Sequence, residues 1–230
     1  MGCSGSKAAS VGEVKPITAN KKQRLIWLAG CSSAGKTFMG DYLATRGFHH
    51  IDGDMGNQME SEEMKTMWGN LHKSMEAFMA KTEVKEEEWK PYYEFLIKEY
   101  KKAIPTGKDI VLSFAMCDAF GECEWLKKEI PGLEFFVLDV NMDEIVRRSL
   151  PRNKAFMIAA GTTVEEQWNE EAIAAYGPFS EEAYEKATRE QLGGMVCTPH
   201  PNPTAGFTFI KNDDLPSFEG IKNINRELGL

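Results

Sequence analysis

The residues Gly30-Cys31-Ser32-Ser33-Ala34-Gly35-Lys36-Thr37 form an unbroken G-x-x-x-x-G-K-[ST] run, and each fixed position has a chemical reason. Backbone N–H groups between two glycines can wrap a phosphate only where no side chain obstructs the turn or forbids positive φ. The lysine ammonium reaches the outer phosphates, and the threonine hydroxyl is a ligand for Mg²⁺. Gly30, Ser32, Ser33, Ala34, Gly35, Lys36 and Thr37 are therefore the candidate nucleotide-binding residues. Two carboxylates, Asp52 and Asp54, follow 16 and 18 residues after Lys36. Beyond the carboxyl end of a strand, such a pair can hold a water of the metal's shell and accept a proton from an attacking hydroxyl. Of seven arginines, three (Arg147, Arg148 and Arg152) crowd into residues 147–152. A guanidinium closing over a transferring phosphoryl group stabilises its spread charge bidentately. The plainer reading of Arg147 and Arg148 is a helix end whose cations complement its dipole.

These groups need strands that end, and helices that begin, along one edge. Arg24-Leu25-Ile26-Trp27-Leu28-Ala29 is a short apolar run suited to a buried parallel strand leading into the glycine-rich loop. Phe38, Met39, Tyr42 and Leu43 then recur at helical spacing up to Gly47, and residues 48–51 make a second strand running into Asp52-Gly53-Asp54. Two helical stripes follow: Met64, Met67, Trp68, Leu71, Met75, Phe78 and Met79, then Trp89, Tyr92, Tyr93, Leu96, Tyr100 and Ile104. Their aromatics read as plain core, with the wall of a pocket for a hydroxyl compound as the other reading. Residues 110–114 and 133–140 are the third and fourth strands, with a helix through Trp125 and Leu126 between them. Asn141 and Glu144 match a capping box for a helix expected to run to Pro151. Thr163 and Glu166 match a second, expected to open a helix through Trp168; Ser180 caps another, and residues 207–210 are the last strand. Strands alternating with helices predict an α/β fold: a doubly wound, mostly parallel sheet with helices on both faces, a helical insertion and a lid. The expected division is a tail over 1–22, a main domain over 23–215 with a helical substrate segment at 58–104 and a lid at 147–165, and a C-terminal segment over 216–230.

Composition narrows the class. A net charge of −8 argues against a nucleic-acid partner, which needs a basic face. No apolar stretch approaches the ~20 residues needed to cross a bilayer, and the start has no apolar h-region, so a cytoplasmic setting is expected. The five cysteines (Cys3, Cys31, Cys117, Cys123 and Cys197) include no Cys-x-x-Cys pair, so neither a disulfide framework nor a zinc site is signalled. Met1-Gly2-Cys3-Ser4-Gly5-Ser6 fits the N-myristoylation pattern M-G-x-x-x-[ST], and Cys3 offers a thiol for palmitoylation. The pairing suits peripheral membrane association, because one acyl chain binds only marginally and a second signal is needed for stable anchoring. His49 and His50 fall on opposite faces of a strand and cannot chelate together, and His72 reads as part of a solvated helix face. Lys211-Asn212-Asp213-Asp214 does not match the Asn-Lys-x-Asp guanine reader.

The phosphate loop, the Asp52-Gly53-Asp54 turn, Ile110-Val111-Leu112-Ser113, and Arg147-Arg148-Ser149-Leu150-Pro151-Arg152-Asn153-Lys154-Ala155-Phe156 together resemble the gluconate kinase and shikimate kinase group, within the adenylate-kinase-like branch of phosphate-loop enzymes. The resemblance implies ATP and Mg²⁺ as cofactors and a small-molecule acceptor. By it, Lys36 and Thr37 serve the nucleotide and metal, Asp52 or Asp54 the metal water and the hydroxyl, and Arg148 or Arg152 the transferred phosphoryl group. Two departures stand out. Gluconate kinases follow the third strand with basic residues, whereas Phe114-Ala115-Met116-Cys117-Asp118-Ala119-Phe120 carries none, and their lid Gly-His is replaced by Lys154-Ala155. The expected activity is phosphorylation of a small-molecule hydroxyl. Its rivals are a nucleoside or nucleotide kinase, which needs an arginine clamp that residues 64–104 lack, a membrane-anchored nucleotide-binding regulator, and a sulfotransferase, disfavoured by the intact Lys36-Thr37.

Overall fold

The computed structural model describes residues 23–58, 60–115, 118–194, 206–214 and 218–230. Five strands, β1 (Leu25–Ala29), β2 (His49–Asp52), β3 (Ile110–Phe114), β4 (Leu133–Asp139) and β5 (Phe207–Lys211), pair in parallel in the order β2-β3-β1-β4-β5. β1 lies in the middle, with β3 on one side and β4 on the other, so the chain leaving it enters the crevice where the winding direction reverses.

Alternation along the strands divides the core into two layers. Trp27, Leu112, Phe135 and Val137 point to one face. There they meet α2 (Glu62–Met79), α3 (Glu86–Ala103) and α4 (Cys123–Glu129). Trp27 is fully buried and stacks on Tyr93 at 5.8 Å, with Phe114 edge-on at 6.1 Å. Ile26, Leu28, Val111, Phe136 and Leu138 point the other way, onto α1 (Lys36–Thr45) and α8 (Phe218–Leu228). Burying each such side chain contributes about 1.5–3 kcal/mol relative to leaving it in water. α8 sets Ile224 and Leu228 into this second layer, so residues 218–228 are built into the same core as the phosphate-loop helix. Trp89, Tyr92 and Tyr93 are core residues, whereas Trp68 is half-buried at its margin.

Two expectations around the lid are corrected. Helix α5 (Met142–Ala159) does not stop near Pro151 but runs through it for two more turns. Proline removes one helical hydrogen bond, and packing outweighs that loss. Leu150, Val164 and Tyr184 form a separate apolar cluster with Trp168 and Phe179, binding α5 to α7 (Glu181–Gly194). Ser149 and Asn153 both hydrogen-bond the Tyr184 hydroxyl from α5. The Thr163 and Glu166 capping box forms, with mutual bonds of 3.1 and 3.0 Å, but it closes only a turn. The next helix, α6 (Glu170–Tyr176), starts at its own cap, Asn169, whose side chain accepts from Ala172 N at 2.9 Å. Phe38, placed by its spacing on the buried stripe of α1, is 47% exposed and faces the cleft described below. The Gly2 and Cys3 modification sites, Lys21, Lys22 and Cys117 lie outside the described residues.

Helix α1 is locked to the sheet through a glycine. A Cβ at Gly40 would lie 2.2 Å from His50 Nε2, so only glycine lets the imidazole lie against the helix. There His50 bridges Asp41 Oδ1 and Ser113 Oγ, each at 2.9 Å. Helix propensity alone would make Gly40→Ala stabilising by about 1 kcal/mol. Displacing the imidazole forfeits two hydrogen bonds of about 1 kcal/mol each and adds an overpacking cost of about 1–3 kcal/mol. Gly40→Ala is therefore expected to lower unfolding free energy by about 2–4 kcal/mol in urea titration; a stabilised variant contradicts this packing.

Candidate functional site

The loop from β1 to α1 has the form its sequence requires. Gly30 has φ +153°, and a Cβ there would press on Ala34 Cβ and Leu138 Cβ at 3.2 Å each. Gly35 takes φ +93° as the residue preceding α1, and Ser33 is also left-handed at φ +64°. No side chain caps α1 and its first turn holds no acidic residue, so its leading N–H groups face the cleft with the positive end of the helix. This is the geometry of an anion site.

Lys36 lies over the loop, only 8% exposed, and donates from Nζ to Cys31 O at 3.0 Å. Burial pushes its ammonium below the ordinary lysine value, and the Asp54 carboxylate is the strongest influence in the other direction. Asp54 shows the converse: burial raises its carboxyl above the usual range, Lys36 opposes the rise, and Asp52 adds to it. Two groups whose charged forms are each disfavoured by burial thus line the same cleft. Asp52 ends β2 and turns back, its Oδ1 accepting from Asp54 N at 3.0 Å, which fixes the turn that carries Asp54. Gly53 between them has no room for a side chain, because a Cβ would lie 2.7 Å from Ser113 O. Its carbonyl is held from α3 by the Tyr92 hydroxyl at 2.7 Å.

The arginines divide their work. Arg152 is exposed and donates from Nη1 to Ser32 Oγ at 2.7 Å, with Ser33 Oγ at 3.4 Å, so it reaches the loop itself. Arg148 is buried and committed elsewhere: to Glu144 Oε1 at 2.6 Å, to Asn212 O at 2.8 Å and Asp214 O at 2.7 Å, and to Ala34 O at 3.5 Å. Arg147 grips the same Glu144 with two bonds of 2.7 Å. Burial would raise the Glu144 carboxyl, but the hydrogen bonds from Arg147 and Arg148 outweigh it and hold it below its usual value. Of the two arginines left open by the sequence, Arg152 therefore reaches the glycine-rich loop, and Arg148 ties α5 to the loop and to the residues that follow β5.

Lys36, Thr37, Asp54, Arg148 and Arg152 meet around one cleft of about 400 Å³, which Asp52 supports from behind. Sequence reasoning missed Asn212. It is fully buried at the end of β5, and its Nδ2 donates to Ala34 O at 2.9 Å, so the last strand steadies the phosphate loop. The one signal available was its place, a polar residue at the carboxyl end of a strand, as Asp52 is at the end of β2.

The nucleotide and metal implied by the motif can be tested against this chemistry. The loop has positive-φ positions at both of its glycines, an uncapped helix start and a buried ammonium, which fit a phosphate chain. The Thr37 hydroxyl and the Asp52 carboxylate are hard oxygen donors of the type Mg²⁺ takes.

No protein-family model matches the sequence, and no curated protein matches it. Solved structures do. A sugar kinase from Janibacter sp. HTCC2649 is 14% identical over 90% of this chain and 93% of its own, with a TM-score of 0.51. A gluconokinase from Sinorhizobium meliloti 1021 is 13% identical over 89% of this chain and 93% of its own, with a TM-score of 0.47. A shikimate kinase from Bacteroides thetaiotaomicron is 16% identical over 90% of this chain and 99% of its own, also at 0.47. The chain has the α/β fold of phosphate-loop kinases, and the resemblance carried by its motifs holds at the level of the fold.

Asn212→Ala removes the shorter of the two side-chain bonds to Ala34 O and opens space beside Gly220, where a Cβ would lie 2.2 Å from Asn212 Oδ1. The expected loss is about 1–2 kcal/mol of stability, accompanied by weaker Mg-ATP binding. Unchanged nucleotide affinity by calorimetry would detach Asn212 from the site.

Proposed function

We propose that this chain is an ATP- and Mg²⁺-dependent phosphotransferase that phosphorylates a hydroxyl group of a small molecule. The observation that carries this reading is the meeting of Lys36, Asp54 and Arg152 at one cleft whose floor is the phosphate loop. Lys36 and the loop amides hold the phosphate chain, and Arg152 lies where it can neutralise the transferring group's equatorial oxygens. Asp54, whose affinity for protons is raised by burial, takes the acceptor's hydroxyl proton. As that proton leaves, the acceptor oxygen bonds to the γ-phosphorus and the bond to the β–γ bridging oxygen breaks, with its electron pair leaving on ADP. Thr37 and Asp52 would hold Mg²⁺, which supplies charge neutralisation between the phosphates when bound.

The rivals need features not found here. A nucleotide kinase needs an arginine clamp for the acceptor phosphate, and α2 and α3 contain no arginine. A regulator with little turnover has no use for a proton-affine carboxylate placed beside the lysine.

Peripheral membrane attachment through Gly2 and Cys3 is part of the same proposal. It rests on the M-G-x-x-x-[ST] pattern and the adjacent thiol. Among the described residues no helix is long and apolar enough to cross a membrane, so acylation would be the means of attachment.

Asp54→Asn is expected to reduce acceptor-dependent ADP release by about 100-fold or more while Mg-ATP still binds, and Lys36→Ala to impair binding and turnover together. A kcat for Asp54→Asn within about threefold of wild type removes Asp54 from the proton-transfer role. In cells with N-myristoyltransferase, Gly2→Ala is expected to shift the protein from the membrane to the soluble fraction. Equal partitioning of wild type and variant refutes the anchor.

A further inference from the structure

Lys36 and Thr37 open α1, whereas Asp54 stands on the turn that follows β2. Between these elements lies His50, on β2, with its side chain 9% exposed. Its Nδ1 is 2.9 Å from Asp41 Oδ1 of α1, and its Nε2 is 2.9 Å from Ser113 Oγ of β3. The Asp41 carboxylate can only accept, so Nδ1 carries the ring hydrogen. Nε2 is then the acceptor, and the Ser113 hydroxyl donates to it. Carboxylate, imidazole and hydroxyl in this order also make an acyl-transfer relay. Ser113 is 1% exposed, however, so no substrate reaches its Oγ, and the two bonds serve to hold rather than to react.

What they hold bears on Asp54. Ser113 lies opposite Asp52 in the register of β2 and β3. Its carbonyl and the Phe114 side chain seat Gly53, where a Cβ would lie 2.7 Å from Ser113 O and 2.9 Å from Phe114 Cδ2. From α3 the Tyr92 hydroxyl grips Gly53 O at 2.7 Å, and Asp52 Oδ1 accepts from Asp54 N at 3.0 Å. The turn that bears Asp54 is thus clamped between α3 and the carboxyl end of β3, and a shift of that end is passed to it. Asp41, at the other side of the imidazole, belongs to the helix that begins with Lys36. For stability alone the polar bridge is a poor device, because an apolar group of the same shape replacing both partners is nearly neutral. What two directed bonds add is a fixed geometry.

We propose that His50 is a positioning residue of the phosphoryl transfer: through Asp41 and Ser113 it sets the helix that holds the nucleotide against the turn that carries the proton acceptor Asp54. The proposal rests on the phosphotransferase reading. It assigns His50 to the transfer step and not to nucleotide affinity, since Asp54 takes its part only when the acceptor reacts.

The test measures Mg-ATP affinity by calorimetry and ADP release at saturating Mg-ATP in full-length protein, with water, the simplest hydroxyl, as the acceptor. His50→Leu keeps bulk and removes both bonds. It is expected to lower kcat about tenfold or more, while Mg-ATP affinity stays within about threefold. A glutamine amide offers one donor and one acceptor, so His50→Gln is expected to bring kcat back to within about threefold of wild type. Ser113→Ala is expected to slow turnover as well, and the double variant with His50→Leu to be no slower than His50→Leu alone, because both remove one shared bond. Should His50→Leu fail to fold, Asp41→Ala carries the same test: its side chain is 70% exposed, and a loss of kcat of about threefold or more is expected at unchanged Mg-ATP affinity. Three results overturn the proposal: wild-type kcat in the folded His50→Leu or, in its place, Asp41→Ala; a kcat in His50→Gln as low as in His50→Leu; or a fall in Mg-ATP affinity that matches the fall in kcat. Wild type that binds Mg-ATP but releases no ADP overturns the phosphotransferase reading and this proposal with it, an outcome told apart by the wild type alone.

Discussion

An ammonium group held out of water is the feature on which the rest of this structure depends. Lys36 is 8% exposed, and its Nζ is tied to the backbone of its own loop. Removing a charge from water costs several kcal/mol unless something repays it. Here one carbonyl and the facing Asp54 offset part of that cost, and burial still lowers the lysine's proton affinity. A buried cation beside an uncapped helix start suits a multiply charged anion. The two loop glycines and Arg152 belong to the same arrangement.

The fold keeps the ammonium in place by tying the loop from several directions. β1 brings the loop to the centre of the sheet, between β3 and β4. Asn212 at the end of β5 and Arg148 on α5 both hold the Ala34 carbonyl. His50 of β2 joins α1 to β3, bonding Asp41 with one ring nitrogen and Ser113 with the other. On the opposite layer, Tyr92 carries the packing of α3 into the turn between Asp52 and Asp54. Core and cleft are therefore coupled by single hydrogen bonds at named atoms, and the groups lining the cleft inherit their positions from the two apolar layers.

Much of this was legible in the sequence because its signals are local. The glycine-lysine-threonine spacing, the alternation that puts Trp27 and Leu28 on opposite faces, and the Asn141–Glu144 cap each operate within a few residues. What the sequence concealed depends on long-range contact. Pro151 looked like a helix end because local rules penalise it, yet the cluster around Tyr184, more than thirty residues away, carries α5 past it. The Thr163–Glu166 box formed its bonds without a helix to follow, since Asn169 supplies a better start nearby. Arg148 and Arg152 could not be told apart by spacing. Only the positions of Glu144, Asn212 and Asp214 show that one is spent and the other faces the loop. Asn212 itself acts across 178 residues of chain, and no local pattern announces it.

Hydrogen–deuterium exchange over residues 30–38, with and without Mg-ATP, addresses the phosphate cradle most directly. If these main-chain amides grip a phosphate chain, their exchange slows markedly on adding nucleotide, and more than at any other segment of comparable exposure. Nucleotide binding that leaves those amides exchanging as before, or slows exchange only elsewhere in the chain, would contradict the account.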